Sequence, residues 1–317
     1  MNDIEIIFIL VILFISVKGL ENSGLLYRLS RRIENGSFIA LKLVIITFFF
    51  SMIVTNDVAL LVLIPLTLTI DTNRKDLLII LEALSANAGS ALTPFGNPQN
   101  LFIYWYYNIE PVKFIAEIAP FTLLFLVLFA TVSFFLKTSN GKAINRKPER
   151  INFKAYIYVA LLLLVILTVL HIVPVQAGIV IIIYAILFDR KSLRIDYILL
   201  LTLISFLGIS ENLKVIFSSH LEHAGHIFIL SALTSQIISN VPSALVFAKF
   251  TTQWKALLWG TNVGGFGGLL GSLANLIAYR LYTSNENTDN PTAFTFKFIA
   301  IGYAAFIVGI GLYFMLG

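Results

Sequence analysis

Residues 85–100 read SANAGSALTPFGNPQN, with apolar segments on both sides. The last twelve residues of the stretch hold two glycines, two prolines, two asparagines and a glutamine. That is the composition of a turn or loop, and it falls where a membrane-spanning helix is otherwise expected. The rest of the chain makes the conflict sharper. Its 317 residues are 58% hydrophobic and 12% charged, with a mean hydropathy of +0.90. Soluble domains carry about 25% charged residues, so a soluble globule is excluded. Segments 4–17, 114–136, 155–170, 174–188, 195–209 and 296–316 are apolar enough to span, or nearly span, about 30 Å of hydrocarbon. The first follows MNDIE, which lacks a basic leader, and VKGLEN is a poor cleavage site, so this segment is expected to stay in the chain. The absence of cysteine removes disulfides, thiolate metal sites and thiol catalysis. The net charge of +5 comes from basic residues in loops between apolar segments, which speaks for topology and not for nucleic acid.

The opening stretch has a partner, GTNVGGFGGLLGSLAN at 260–275. At a constant offset of 175 the identities are Asn87/Asn262, Gly89/Gly264, Gly96/Gly271, Asn100/Asn275, Leu101/Leu276, Tyr104/Tyr279 and Tyr107/Tyr282. Roughly one or two would arise by chance from ordinary residue frequencies. Upstream, VTNDVALLV (54–62) resembles ISNVPSALV (238–246), pairing Thr55-Asn56 with Ser239-Asn240. The beginnings, 4–22 and 195–212, match more loosely. Each half therefore reads as span, surface segment, polar-tipped hairpin, interrupted span and final span. The first half covers 1–137, with a hairpin at 38–70, a broken helix at 77–107 and a span at 114–136. The second covers 191–317, with a hairpin at 227–253, a broken helix at 255–283 and a span at 296–316. A basic loop and two linking scaffold helices fill 138–190. The fold class is thus an all-α polytopic membrane protein of two inverted-topology repeats, with about eight full spans and two re-entrant hairpins.

The inversion follows from length and charge. Hairpin arms of 12–17 residues reach only about 18–25 Å at 1.5 Å per residue, short of a full crossing, with 38–54 alone long enough to leave one open. Five crossings then precede the second half. With both termini outside, 18 of the 22 basic residues lie inside, and only Lys113, Lys214, Lys249 and Lys255 lie outside. That is the split the positive-inside rule requires. The chain is expected in the plasma membrane as a multi-pass protein.

Inside hydrocarbon an unpaired backbone group is costly, so broken helix is tolerated only beside protein or water. Polar, Gly- and Pro-rich breaks at matching places in two halves are the strongest sequence pointer to a transporter's binding site. Helix C-termini and unwound carbonyls suit a cation, while helix N-termini suit an anion. Pro98 and Pro242 fit the first turn of a restarting helix. The candidate cation and substrate residues are Thr55, Asn56, Asp57, Asn87, Gly89, Ser90, Thr93, Gly96, Asn97 and Asn100 in the first half. Their counterparts in the second are Ser239, Asn240, Ser243, Thr261, Asn262, Gly264, Gly265, Ser272 and Asn275. Small residues also mark close helix packing, but four polar breaks recurring in order favour a site.

An acid near the midplane reads as functional, so Asp57 is expected to bind a coupling cation or carry a proton. The competing reading is an N-cap on the helix that follows. Glu82 lies either on the same cavity or at a protein-facing position. His220, His223 and His226 drift around a helix and suit a solvated segment better than a metal site. Residues 25–36 read as a basic amphipathic stretch on the inner surface, and 137–154 as a topology-anchoring basic loop. No nucleotide-binding loop and no nucleophile–base pair is present, so the chain is not read as an enzyme or an ATP-driven pump.

TNDVALLVLIPL, NAGSALTPFGNPQN, SQIISNVPSALV and NVGGFGGLLGSLANLIAYR resemble motifs of the ion transporter superfamily. That superfamily includes arsenite permeases, sodium/proton antiporters, citrate transporters and sodium–dicarboxylate symporters, and the arsenite-permease-like anion permease branch is the nearest likeness. The resemblance covers about residues 4–316. It implies a scaffold domain, a transport domain with two oppositely oriented hairpins, elevator-like motion and a homodimer formed through the scaffold. It also implies cation sites that pair each tip with its neighbouring break. Candidate Na+ ligands are then Asn56, Asp57, Asn87 and Asn97, and in the second half Asn240 and Asn262. Neither tip carries the intact Ser-Asn-Thr of the dicarboxylate members, whereas the acid after Asn56 looks more like the arsenite-permease pattern. The expected function is secondary active transport of a small anion or oxyanion, of the arsenite, dicarboxylate or inorganic-anion class, coupled to Na+ or H+. The alternatives are a Na+/H+ antiporter using Asp57 and, from another class, an ion channel or passive pore. The expected partners are the anionic substrate, the coupling ion and the lipid bilayer, with no organic cofactor and no nucleic acid.

Overall fold

The computed structural model describes residues 3–26, 28, 38–70, 72, 74–136, 153–217, 223–285 and 290–316, and every regular element among them is helical. The first half runs α1 (Asp3–Asn22), α2 (Ile39–Val54), α3 (Asn56–Thr67), α4 (Lys75–Ser90), α5 (Pro98–Tyr106) and α6 (Pro111–Phe134). Two linking helices follow, α7 (Lys154–Val169) and α8 (Ile179–Phe188). The second half runs α9 (Tyr197–Phe217), α10 (Ala224–Ile238), α11 (Asn240–Ala248), α12 (Trp254–Gly264), α13 (Leu273–Thr283) and α14 (Pro291–Leu316). Fourteen α-helices among the described residues suit a polytopic membrane protein. By length and composition alone, α6 and α14 are long and apolar enough to cross a bilayer. Both expose large apolar side chains, among them Leu123, Val127, Ile307 and Phe314. A wide exposed apolar surface is unfavourable in water and suits lipid. The amphipathic stretch at 25–36, the basic loop at 137–154 and His220 lie wholly or mostly outside the described residues.

The helix breaks are narrower than the sequence implies. Thr55-Asn56-Asp57 reads as a three-residue tip, yet only Thr55 leaves the helix, at φ 81° and ψ 151°. Ser239 takes the same conformation between α10 and α11, at φ 75° and ψ 157°. A single residue with positive φ redirects the chain sharply, so the polar residues after it begin a helix instead of extending a loop. α2 packs on α3, and α10 packs on α11. The conformation is one that side chains rarely adopt, and holding it costs about 1–3 kcal/mol. Thr55→Gly removes the Cβ that makes it costly. Its melting temperature in detergent is expected to rise by a few degrees, at roughly 2–4 °C per kcal/mol. A fall would show that the threonine side chain contributes more than its strain costs.

The long breaks are built alike. α4 stops at Ser90 and α5 starts at Pro98, while α12 stops at Gly264 and α13 starts at Leu273. Pro98 occupies the first turn, as its spacing predicts, and Asn97 Oδ1 caps it by accepting from Asn100 N at 2.9 Å. At the matching position, Ser272 Oγ accepts from Ala274 N at 3.1 Å. Two glycines let helices approach closely. A Cβ on Gly89 would stand 2.1 Å from the Phe48 carbonyl oxygen and 2.6 Å from Ser51 Oγ. On Gly264 it would meet Ser235 Oγ at 2.6 Å and the Ala232 carbonyl oxygen at 3.0 Å. The first contact joins α4 to α2 and the second joins α12 to α10, so these glycines serve packing.

α1 ties this body to the linking helices. A Cβ on Gly19 would overlap the Tyr158 ring, and Tyr158 donates from its hydroxyl to Asp189 Oδ2 at 2.9 Å. Lys154 pairs with the same Asp189 at 3.2 Å.

Candidate substrate and ion site

Four helices begin at one cleft. A cavity of about 180 Å³ is lined by the first residues of α3 (Asn56, Asp57), α5 (Pro98, Gln99) and α11 (Asn240, Val241, Pro242). Ser272 and Leu273 at the start of α13, Ser239, and Leu199 and Thr202 of α9 complete much of the wall. Each helix start carries a partial positive charge, although Asn56 N, Asp57 N, Asn100 N and Ala274 N already have partners and Pro98 has no N–H to offer. Among the described residues no Lys, Arg or His lines this cavity, and Asp57 is its one ionisable side chain. A second cavity, of about 350 Å³, shares Asp57, Leu199 and Leu273 with the first. It runs past Thr55, Val58 and Leu61 to Lys18, Glu21, Arg194 and Asp196.

Asp57 does not cap its helix. Its carboxyl has no hydrogen-bond partner among the described residues, and Oδ1 is buried. The cap-like bond comes instead from Asn56, whose Oδ1 accepts from Asp57 N at 3.0 Å. A buried carboxyl oxygen without a donor is costly and leaves room for a proton or a cation.

Behind the cleft, asparagines join the two broken helices. Asn87 Nδ2 donates to Asn275 Oδ1 at 2.8 Å, and Asn262 Nδ2 donates to Asn100 Oδ1 at 2.8 Å. Under the offset of 175 these are the same bond made once by each half. Asn87 Oδ1 also accepts from Asn56 Nδ2 and from Ser272 Oγ, both at 3.0 Å. Asn275 Nδ2 donates to the carbonyls of Gly265 and Gly268, each at 3.0 Å, and Asn100 Nδ2 donates to Ala91 O at 2.9 Å. These amides replace the backbone bonds lost where the helices break, as irregular chain in a membrane requires.

The sequence-identified residues thus divide by position. Asn56, Asp57, Ser239, Asn240 and Ser272 line the central cleft, and Thr55 lines the larger cavity. Asn87, Asn100, Asn262, Asn275 and the Gly265 carbonyl form the joint behind it. Ser90 Oγ accepts from Asn97 Nδ2 at 3.1 Å, and Gly96 O accepts from Asn56 N at 3.2 Å. Thr93, Ser243 and Thr261 donate to the carbonyls of Met52, Ser231 and Leu257, which places them in packing contacts. Gly89 and Gly264 belong with them. Of the expected sodium ligands, Asn56, Asp57 and Asn87 are adjacent, but Asn97 turns to Ser90 and to its own helix start. Asn240 faces the cleft, whereas Asn262 bonds to Asn100.

Three polar residues escape the motif reading. Gln99 lines the cleft. Gln236 braces the second break, donating from Nε2 to Gly264 O at 2.7 Å and accepting from Gly268 N at 2.8 Å. Glu82 lines neither cavity: it is fully buried, and its Oε1 accepts from Thr67 Oγ1 at 2.8 Å. Only Glu82 carries a sequence signal, an acid within an apolar helix.

A cleft between paired helix breaks, walled by four helix starts, is the architecture of a membrane permease, and comparison with known proteins agrees. The family model described as "Citrate transporter" matches residues 2–264. The chain belongs to the citrate transporter family and is a membrane-embedded transporter, not an enzyme. It is 35% identical over 316 residues to the uncharacterized transporter MJ0456 of Methanocaldococcus jannaschii, covering 95% of this chain and 86% of that one. It is also 35% identical over 297 residues to the inner membrane protein YbiR of Escherichia coli, covering 85% and 77%. A shorter match, 35% over 109 residues, joins it to the silicon efflux transporter LSI3 of Oryza sativa subsp. japonica, covering 32% of this chain and 22% of that one.

Proposed function

We propose that the protein is a secondary active transporter that carries a small oxyanion or oxyacid through alternating access around the cleft, coupled to H+ or Na+ at Asp57. The observation that carries this reading is the meeting of two cavities at a carboxyl with no hydrogen bond. Four helix starts supply partial positive charge for an oxyanion. Asp57 would repel it unless a proton or cation arrives too, and that mutual requirement is what couples cargo to ion. The two halves act as inverted repeats, with α2–α3 and α10–α11 as re-entrant hairpins. α2, α3, α10 and α11 have 16, 12, 15 and 9 residues. At 1.5 Å per residue the longest reaches about 24 Å, short of the hydrocarbon thickness.

The larger cavity opens toward Lys18 and Glu21, at the C-terminal end of α1. Near its other end, about 22 Å away at 1.5 Å per residue, Asp3 pairs with Lys249 at 2.8 Å. The Tyr107 hydroxyl lies between the carbonyls of Ala248 and Thr251 and shares its one hydrogen with them. With both termini outside, this is an inward-open state. A homodimer formed through the scaffold, as in related carriers, accompanies the reading.

Counterflow in proteoliposomes tests it, with orthosilicic acid, arsenite, phosphate, sulfate and citrate as probes. Citrate follows from the family and silicic acid from the silicon transporter relative. Internal unlabelled probe should accelerate uptake of the labelled one several-fold, with saturation. Linear, non-saturating flux would instead mean a pore. The unpartnered carboxyl of Asp57 also favours a second reading, a Na+/H+ antiporter. That reading predicts sodium-driven proton movement with no probe present.

A further inference from the structure

The amides of the site fall into two groups. Every asparagine of the joint is spent on a protein partner. Gln99 is not: it is only 2% exposed, its carboxamide has no hydrogen-bond partner among the described residues, and it lines the central cleft. Its place explains its orientation. As the second residue of α5, after the Asn97 cap and Pro98, it sits where the helix start meets the cavity. The residue is buried but its carboxamide faces the cavity, so its donor and acceptor capacity is met by whatever fills the cleft, water or a solute.

Two neighbours on the same wall have complementary capacity. The Asp57 carboxyl receives no hydrogen bond. Asn240 is 2% exposed, and its only side-chain bond is the one its Oδ1 accepts from Ser239 Oγ at 3.4 Å, which leaves its amide hydrogens unused. The cleft therefore offers acceptors from Asp57 and Gln99 and donors from Gln99 and Asn240. About 180 Å³ of space holds roughly six waters at about 30 Å³ each.

We propose that Gln99 is the specificity-determining residue of this transporter, its carboxamide holding a small solute that presents both O–H donors and oxygen acceptors. The assignment rests on the transport reading above and adds to it the residue that selects the cargo. A site built to hydrogen-bond a hydroxyl rejects analogues lacking it far more strongly than an apolar pocket rejects a size change. Gln99 therefore sets the ranking among oxyacids and anions, while Asp57 sets the coupling.

The test is saturable counterflow of the same five probes by wild-type protein, Gln99→Leu and Gln99→Glu, with size-exclusion profile and melting temperature recorded for each. Leucine keeps bulk and removes both donors and acceptors. The half-saturation concentration of the preferred probe is expected to rise about tenfold or more, with the maximal rate within about threefold and the fold intact. Glutamate keeps acceptors but loses the amide donors, so the ranking of probes should change. A well-folded Gln99→Leu with wild-type half-saturation and ranking overturns the assignment. If leucine prevents assembly, Gln99→Asn retracts the amide by one methylene and should raise half-saturation about threefold; no change there overturns it equally. Should the wild type show no saturable counterflow with any probe, the transport reading falls first and Gln99 with it. That failure appears before any substitution is made.

Discussion

Asp57→Asn is expected to uncouple transport. The substitution keeps the shape of the side chain and removes its charge and its titration. Coupling between two ligands typically amounts to about 1–3 kcal/mol, or about 5–150-fold in affinity. Gradient-driven uptake of the preferred probe should therefore fall by up to about 100-fold, while exchange of internal for external probe persists. Asp57 touches both cavities and its carboxyl is committed to no protein donor, so the loss should be in coupling and not in assembly. The measurement is uptake into proteoliposomes under a sodium gradient, a pH gradient, both or neither. If the ion is a proton, the variant loses the response to pH; if sodium, it loses the response to sodium. An Asp57→Asn variant that still accumulates probe against its gradient with wild-type ion dependence would remove Asp57 from the mechanism.

Asn87→Ala should be the most destabilising single change in the joint. Its side chain accepts from Asn56 and Ser272 and donates to Asn275 and to the Gly265 carbonyl. Truncation leaves Asn56 Nδ2, Ser272 Oγ and Asn275 Oδ1 buried without that partner, while Gly265 O still receives Asn275 Nδ2. At about 1–3 kcal/mol for each of the three orphaned groups, the loss is roughly 3–9 kcal/mol. That is a large share of a typical stability of about 5–15 kcal/mol. The matching Asn262→Ala orphans chiefly Asn100 Oδ1, because its other bond runs to Leu258 O within its own helix. Its cost should stay near 1–3 kcal/mol. Thermal or denaturant unfolding in detergent orders the two. Equal losses would mean that the joint is energetically symmetric despite its unequal bonds. A double Asn87→Ala, Asn275→Ala variant should lose less than the sum of the single changes, since each removes the other's unpaired partner.

The fold was largely legible because its signals are local. Apolar run length locates most of the helices, Pro98 marks the restart of a helix, and an offset of 175 pairs the two breaks. The tips were legible only to within two residues. Thr55 and Ser239 carry ordinary side chains in a conformation that favours glycine, and nothing local announces that one residue suffices to turn the chain. Site membership was legible as composition but not as role. Asn97 and Gln99 are neighbours of similar chemistry, yet one is spent on Ser90 and the Asn100 amide while the other faces the cleft. Glu82 could have stood on the same cavity or at a protein-facing position, and it lies between α3 and α4, bonded to Thr67.

The sequence by itself determined a polytopic helical chain, two related halves and polar breaks in matching order. Those properties follow from hydrocarbon thickness, from the cost of unpaired backbone in lipid and from residue spacing along one chain. Which amides bind protein and which are left for a solute was decided only in the tertiary structure. Asn87 meets Asn275, and Asn262 meets Asn100, across 188 and 162 residues of chain. A hydrogen bond depends on the distance and direction of a partner that the local sequence does not contain. SANAGSALTPFGNPQN supplies both kinds of amide, and only packing against the second half sorts Asn87 and Asn100 into the joint and Gln99 into the cleft.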